Sequence, residues 1–512
     1  MNDKICGYTL DKQQQAVILD ESKHVLVVAG AGSGKTLTII GKVYYLIKYK
    51  NINPKEILCI SFTKASANSL KEKIKRELSY DMPVYTFHKL GLLILKDNNN
   101  GYSITDSDVL KNIIYEFFNV FILNSKQHMQ MVLNYFHIYF FENTKQRYLK
   151  LLDEKRNEMI LIYNLIETFI KLFKCNNYKL EDFNVFHKQI NKGFNYFKYK
   201  REKIFLILIL IIYIKYIKYL EENNEIDFDD IIIESTKLVK ERGINSNYKY
   251  IIVDEYQDTS LIRFELINAI LEKTGAKLMV VGDDFQSIYR FTGCDISLFL
   301  DFNKYFNDSK IFKIETTYRN SQELISIAGS FVMKNPKQIN KHLVSNKHLK
   351  LPIKIVYYQK PIEMFLKLIK KIYKESQKSI LVLGRNNNDI KRFIDNRLEL
   401  KGEKVIYLEN KEIDITYLTV HRSKGLEDES VIVINLENAT LGFPNKLKDN
   451  ELLRLVSRDK EKYLYAEERR LFYVALTRTK GYVYLLTQKN KTSIFIEELL
   501  INYKKQIEII NC

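Results

Sequence analysis

Ala29-Gly30-Ala31-Gly32-Ser33-Gly34-Lys35-Thr36 lies between an apolar run and a helical pattern. In that context it fits a phosphate-binding loop, with Ala29 where glycine is usual. Small residues let backbone N–H groups face phosphate oxygens, and the start of a helix adds positive potential. Lys35 can neutralise the terminal phosphates of ATP, and the Thr36 hydroxyl can ligate Mg²⁺. Ile251-Ile252-Val253-Asp254-Glu255 supplies the complement, an apolar strand ending in two acids. Asp254 can hold Mg²⁺ through its waters and Glu255 can polarise the attacking water. Such an acidic pair alone is usually an exposed turn, but beside a phosphate loop it points to ATP hydrolysis.

These groups need strands that deliver them to one place. His24–Ala29, Glu56–Phe62, Tyr250–Asp254 and Lys277–Gly282 read as buried strands, with helical patterns between. Strand–helix alternation predicts an α/β fold with a parallel sheet. The pattern breaks near Asn98–Asn100, and Phe, Tyr, Ile, Leu and Lys recur at helical spacing from Tyr102 to Tyr219. An all-α insertion is expected there. A second α/β series begins near Lys310, with strands at Ile353–Tyr358, Ser379–Leu383, Lys404–Tyr407, Thr416–Thr419, Ser430–Asn435 and Tyr482–Leu486. The expected division is 1–98 and 223–309 for a first domain, 99–222 for its insertion, and 310–512 for a second domain.

The 512 residues carry a net charge of +18, which suits a polyanionic partner, although a coding bias towards Lys, Asn, Ile and Tyr explains it as well. Ordinary apolar and charged fractions exclude wholesale disorder. Cys6, Cys59, Cys175, Cys294 and Cys512 are scattered, which argues against a disulfide framework or zinc site and for reduced cytoplasmic thiols. Met1–Leu10 lacks a signal-peptide pattern. The longest apolar run, Ile204–Ile214, falls short of the ~20 residues a bilayer requires. No membrane partner is expected.

Further motifs follow in order: Gln13-Gln14-Gln15-Ala16-Val17, Ser61-Phe62-Thr63, Thr86-Phe87-His88, Ile226-Asp227-Phe228-Asp229-Asp230 and Val281-Gly282-Asp283-Asp284-Phe285-Gln286-Ser287-Ile288-Tyr289-Arg290. The second half carries Thr317-Tyr318-Arg319-Asn320, Thr419 to Glu427, and Glu467 to Arg478. With the phosphate loop and the Asp254-Glu255 pair, this series resembles the UvrD/Rep group of superfamily 1 helicases, and within it the helicase IV branch. The resemblance implies two RecA-like motor domains with ATP between them. It implies that Gln13 reads the adenine edge, Tyr318 stacks on the adenine ring and Glu427 contacts the ribose. Gln286 would sense the γ-phosphate, while Arg319 and Arg478 would serve as arginine fingers from the second domain. A finger is worth about 10³–10⁵ in rate, and one supplied across a cleft makes hydrolysis depend on closure.

The same resemblance maps single-strand contacts onto Phe62, Thr63, His88, Tyr289, Phe291 and His421. Aromatic rings stack on any base, which suits a motor that must pass every sequence. Phe291 and Thr292 stand where many relatives carry Trp and Arg. Lys171–Leu220 contains 11 Lys/Arg against three acids, interleaved with 12 Phe/Tyr. That face could meet duplex phosphates, although a solvated lysine face over an aromatic core is the favoured reading. Only 419 − 319 = 100 positions separate Arg319 from Thr419, so the large fourth subdomain of typical relatives is expected to be reduced or absent. With 512 − 478 = 34 residues after Arg478, no nuclease domain is expected there. Two readings remain. One is a monomeric ATP-dependent 3′→5′ DNA helicase or translocase on single strands and duplex junctions, in repair, recombination or replication, with a possible accessory protein. The other is an ATP-switched remodelling subunit, for example in phage defence, that barely unwinds.

Overall fold

The computed structural model describes residues 4–5, 7–98, 101–139, 143–190, 195–376, 379–458 and 461–511. Cys6, Cys512, Lys192 and the Asn99–Asn100 part of the expected break lie outside the described residues.

Six strands form the first sheet: β1 (His24–Ala29), β2 (Ile57–Ser61), β3 (Val84–Thr86), β4 (Tyr250–Val253), β5 (Lys277–Gly282) and β6 (Ser309–Ile314). All pairings are parallel, in the order β6-β1-β5-β4-β2-β3. All six residues of β1 are buried. Leu26 and Val28 join the core shared with the helical insertion, while Val25, Val27 and Ala29 join the core on the opposite face. A strand covered on both faces needs such a continuous apolar run. The boundary expected at 309/310 is corrected by β6, which pairs with β1 along its whole length. Lys310 and Lys313 lie on this half-exposed edge strand and hide its apolar pattern.

The insertion contains helices Val109–Asn119, Lys126–Tyr135, Thr144–Glu154, Arg156–Cys175, Asp182–Gln189 and Tyr196–Glu222. It is not wholly α: Ser103–Ile104 pairs in parallel with Glu225–Ile226 and ties its two ends together. The apolar run lies in the 27-residue helix Tyr196–Glu222, where Phe205, Leu206, Ile209 and Ile212 are fully buried. Among the described residues no helix is long and apolar enough to cross a membrane. The expected basic face is largely committed within the protein. Lys174 is buried between Asp227 and Asp230, at 2.5 and 2.7 Å. Lys200, Arg201, Lys203 and Lys215 lie over Tyr139, Tyr135, Tyr199 and Phe121. Tyr135 is buried, Tyr139 and Tyr199 are half-buried and Phe121 is exposed, so these are cation–π pairs along the insertion's surface.

The second sheet contains β7 (Ile353–Tyr358), β8 (Ile380–Gly384), β9 (Leu398–Lys401), β10 (Lys404–Tyr407), β11 (Ile415–Thr419), β12 (Asp428–Val433), β13 (Thr479–Gln488) and β14 (Ile507–Asn511). Its order is β9-β10-β11-β8-β12-β13-β7-β14. The expectation of a parallel sheet is corrected at one edge, where β9, β10 and β11 run antiparallel. Gly402, at φ 60°, and Glu403 alone join β9 to β10, and so short a connection can only make a hairpin. Among the described residues, the interval from Arg319 to Thr419 holds two long helices, Gln322–Val332 and Pro361–Ser376, a short turn of helix, and β7 to β11.

Ala31, Phe285 and Ile288, from loops of the first sheet, pack into the core of the second. Lys341 is fully buried at this junction, paired with Asp283 and with Asp284 at 2.6 Å, its ammonium 3.6 Å from the Phe285 ring centre. Burial opposes its charge, but the two carboxylates hold it protonated. Removing one partner of a buried ionic cluster leaves uncompensated charge. Lys341→Met should therefore cost about 3–5 kcal/mol, read as a lower chemical-denaturation midpoint. An unchanged midpoint would show that this cluster does not hold the junction.

Candidate nucleotide site and nucleic-acid path

Parallel strands deliver their following loops to one edge of a sheet, where ligands of open α/β folds bind. Here β1 ends in the glycine loop, β4 in Asp254-Glu255, β5 in Asp283–Gln286, β2 in Phe62-Thr63 and β6 leads to Thr317–Arg319. Gly32 and Gly34 have φ of 71° and 78°, a region open to glycine. A Cβ on Gly34 would lie 2.7 Å from Gln14 Nε2, and one on Gly32 would clash with Thr317 and Arg319. Tyr318 N–H donates to Gly32 O at 3.0 Å and Thr317 Oγ1 to Ala31 O at 2.7 Å. The loop is thereby moulded against the segment that leads into the second sheet. Ala29 and Ala31 are buried, and the buried Ser33 hydroxyl has no hydrogen-bond partner among the described residues.

Glu255 occupies left-handed backbone at φ 54°, a strained setting for a non-glycine residue. Its Oε1 accepts from Lys35 at 3.0 Å, and its Oε2 accepts from Gln257 Nε2 at 2.6 Å. Burial alone would raise its pKa, but Lys35 and Lys424 hold it well below the carboxylate range. Asp254 behaves oppositely: burial and the neighbouring Glu255 push it up to about 6. A carboxylate so disfavoured as an anion suits a cation, and the half-buried Thr36 hydroxyl could share it.

The second sheet contributes the facing wall. Arg478 is buried and donates to Gln286 Oε1 at 3.2 Å, and Gln286 Nε2 donates to Asp283 at 2.6 Å. Burial and the nearby Arg319 lower Arg478 to about 9. Arg319 lies on the crossing segment between the sheets, not within the second, and its Nε donates to Glu427 at 2.6 Å. Burial would raise Glu427, yet Lys480 and Arg319 hold it down. Tyr318 is 56% exposed, with its hydroxyl 3.1 Å from Asp11. Gln13 faces the same mouth, exchanging hydrogen bonds with Glu315 at 2.8 and 3.4 Å.

Four expected strand contacts cluster. The Phe62 and Tyr289 rings are nearly parallel with centres 5.9 Å apart, and Phe291 and His421 lie within 6.4 Å of Tyr289. Phe291 is 59% exposed, the geometry of a stacking platform rather than of a core residue. His88 stands apart, edge-on to Phe228 at 5.4 Å. Burial lowers both His88 and His421 to about 4, so both rings are neutral. The Thr63 hydroxyl caps helix Lys64–Leu78 by accepting from Ser66 N–H at 3.1 Å, so its task here is local.

The UvrD/Rep helicase N-terminal domain family matches residues 10–307, more than half of the chain, and the UvrD-like helicase C-terminal domain family matches residues 396–490. The chain belongs to the UvrD/Rep helicase family. It is 25% identical to DNA helicase IV of Escherichia coli K12, over 96% of this chain and 70% of that protein. It is 27% identical to a probable DNA helicase of Mycoplasma pneumoniae, over 93% and 83%. It is 29% identical to a probable DNA helicase II homolog of Mycoplasma capricolum, over 66% of this chain but only 42% of that protein.

Two residues of this UvrD/Rep-family site escape a motif-based reading. Arg263 lies with its guanidinium 4.7 Å from the Phe62 ring centre, and among the described residues no carboxylate forms an ion pair with it. It sits in an ordinary helical pattern, without a sequence signal. Lys424 was visible inside the Thr419–Glu427 motif, but its reach across the cleft was not. If Glu255 is the base, Glu255→Gln should lower ATP hydrolysis by about 10²–10⁴ while nucleotide binding persists. Lys35→Ala should weaken nucleotide binding itself. Wild-type hydrolysis by Glu255→Gln would remove Glu255 from that role.

Proposed function

We propose that this chain is an ATP-dependent DNA helicase that moves 3′→5′ along single strands and separates duplex at junctions. One observation carries the reading: Glu255, paired with Lys35, lies 3.5 Å from Lys424 of the second sheet's half, whose ammonium is 5.2 Å from the Tyr289 ring centre, while Arg478 donates across the cleft to Gln286. In this reading Lys35 binds the terminal phosphates, Glu255 takes a proton from the attacking water, and Arg319 and Arg478 stabilise charge on the transferred group. Gln13 and Tyr318 would hold the adenine and Glu427 the ribose. Thr36 and Asp254 would hold Mg²⁺, whose charge offsets that of the phosphates. Phe62, Tyr289, Phe291 and His421 would grip the strand, with His88 and Thr63 at its margin.

The direction, monomeric action in the cytoplasm, a role in repair, recombination or replication, and any accessory protein belong to the same proposal. The short interval between Arg319 and Thr419, filled by the strands and helices of the second sheet, favours a compact motor without the large fourth subdomain.

The test is strand displacement by purified protein with ATP and Mg²⁺, on duplexes carrying a 3′ or a 5′ single-stranded tail. The 3′-tailed substrate should be unwound and the 5′-tailed one left intact, with loss of activity when EDTA removes the metal. Robust DNA-stimulated ATP hydrolysis without displacement of either would favour the remodelling subunit, and unwinding from the 5′ tail would overturn the direction.

A further inference from the structure

Arg263 lies in the first turn of the helix Leu261–Thr274. That is an unfavourable place for a cation, because the start of a helix is itself positive. Its guanidinium lies 4.7 Å from the Phe62 ring centre and 5.9 Å from that of Phe87, the residue beside His88. One side chain therefore touches both the cluster of Phe62 and Tyr289 and the segment of His88, which otherwise stand apart. After burial, the charges of Arg263 and Lys64 also help to lower His88. The helices Lys64–Leu78 and Phe87–Asp97 start at the same two loop ends, which adds further positive potential.

A guanidinium carries five N–H donors in a planar fork. Among the described residues Arg263 makes one hydrogen bond, from Nη1 to Asp258 O at 3.3 Å, and pairs with no carboxylate. The rings attract its charge but give its N–H groups no oxygen acceptor. Two other cations beside the cluster are already committed. Arg290 pairs with Asp449 at 2.5 Å and Glu467 at 3.1 Å, and Lys424 pairs with Asp258 and Glu255. Thr292, after Phe291, turns its hydroxyl onto Tyr289 O at 2.8 Å. A half-buried cation without a counter-charge is destabilising until an anion reaches it. The neighbouring rings suit a nucleobase, and every nucleotide of a strand brings a phosphodiester with it. Phe62 and Phe87 follow β2 and β3, not the glycine loop after β1, so this phosphate belongs to the strand rather than to ATP.

We propose that Arg263 is a further strand-binding residue, whose guanidinium fork holds one phosphodiester of the bound single strand between the Phe62–Tyr289 cluster and His88. Planar forks of this kind match phosphate oxygens in pairs. The proposal rests on the reading of the chain as a motor on single strands.

The experiment measures equilibrium binding of a fluorescent thymidine oligonucleotide by the whole chain, wild type and Arg263→Gln, from about 50 to 200 mM salt. Each phosphate contact to a single strand contributes about 0.7 to the slope of log K against log salt. Arg263→Gln should bind about tenfold more weakly at the lower salt, with a slope shallower by about 0.7. Arg263→Lys should keep the wild-type slope. Weaker binding at an unchanged slope would make Arg263 a mere support for Phe62 and overturn the proposal, as would unchanged affinity. If Arg263→Gln does not fold, wild type is treated with the arginine reagent phenylglyoxal and modification of Arg263 is followed by peptide mass spectrometry. Oligonucleotide at about ten times its Kd should slow that modification about tenfold. Equal modification with and without the strand, or no modification in its absence, overturns the proposal. Wild type that fails to bind the oligonucleotide overturns the functional reading itself, whereas binding with an unaltered slope in Arg263→Gln overturns only the role of Arg263.

Discussion

Glu255 stands between two ammonium groups from opposite sides of a cleft, Lys35 at 3.0 Å and Lys424 at 3.5 Å. This arrangement constrains much of the molecule. The strained backbone at φ 54° aims the carboxylate, and the apolar strand β4 supplies a rigid base for it. Lys35 can reach it only because β1 and β4 both flank β5 and end at the same sheet edge. Lys424 can reach it only because the second sheet packs its loops onto Ala31, Phe285 and Ile288. Separation of the halves would leave Glu255 and Asp258 without a cation on that side, so the electrostatics favour the apposed arrangement.

The cleft holds its cations on carboxylates of its own: Lys35 on Glu255, Arg319 on Glu427, Lys424 on Asp258. Phosphate binding at such a site is an exchange of ion pairs rather than a gain of new ones. The net affinity is then a small difference between large terms, and it responds to movements of the partners. Arg478 is the exception. Among the described residues its acceptors are neutral, Gln286 Oε1 and the backbone oxygens of Val474 and Leu426, and burial with Arg319 disfavours its charge. An anion beside Gln286 would relieve that, which gives the arginine a physical preference for the nucleotide-bound cleft.

The buried strands were the most legible part of the sequence. His24–Ala29, Lys277–Gly282 and Ile353–Tyr358 have the bounds their apolar runs suggested. Edge strands were not: β6 and β14 are half exposed, so Lys310, Lys313 and Glu508 interrupt the pattern. The glycine loop and the Asp254-Glu255 pair were legible because their chemistry is local in sequence. Lys341 and Arg263 were opaque, because each acquires its meaning from partners far along the chain, Asp283 and Asp284 for one and Phe62 for the other. In the insertion, Lys174 fits neither duplex contact nor a solvated face, because it serves an internal acidic pair.

In the proposed mechanism, hydrolysis at Glu255 answers to a strand lying on Tyr289, Phe291 and His421. The most direct measurement is ATP turnover by the wild-type chain titrated with single-stranded DNA at fixed ATP. Low turnover alone, and a strong, saturable rise as the strand is added, are expected. Full turnover in the absence of DNA, with a flat titration, would contradict it.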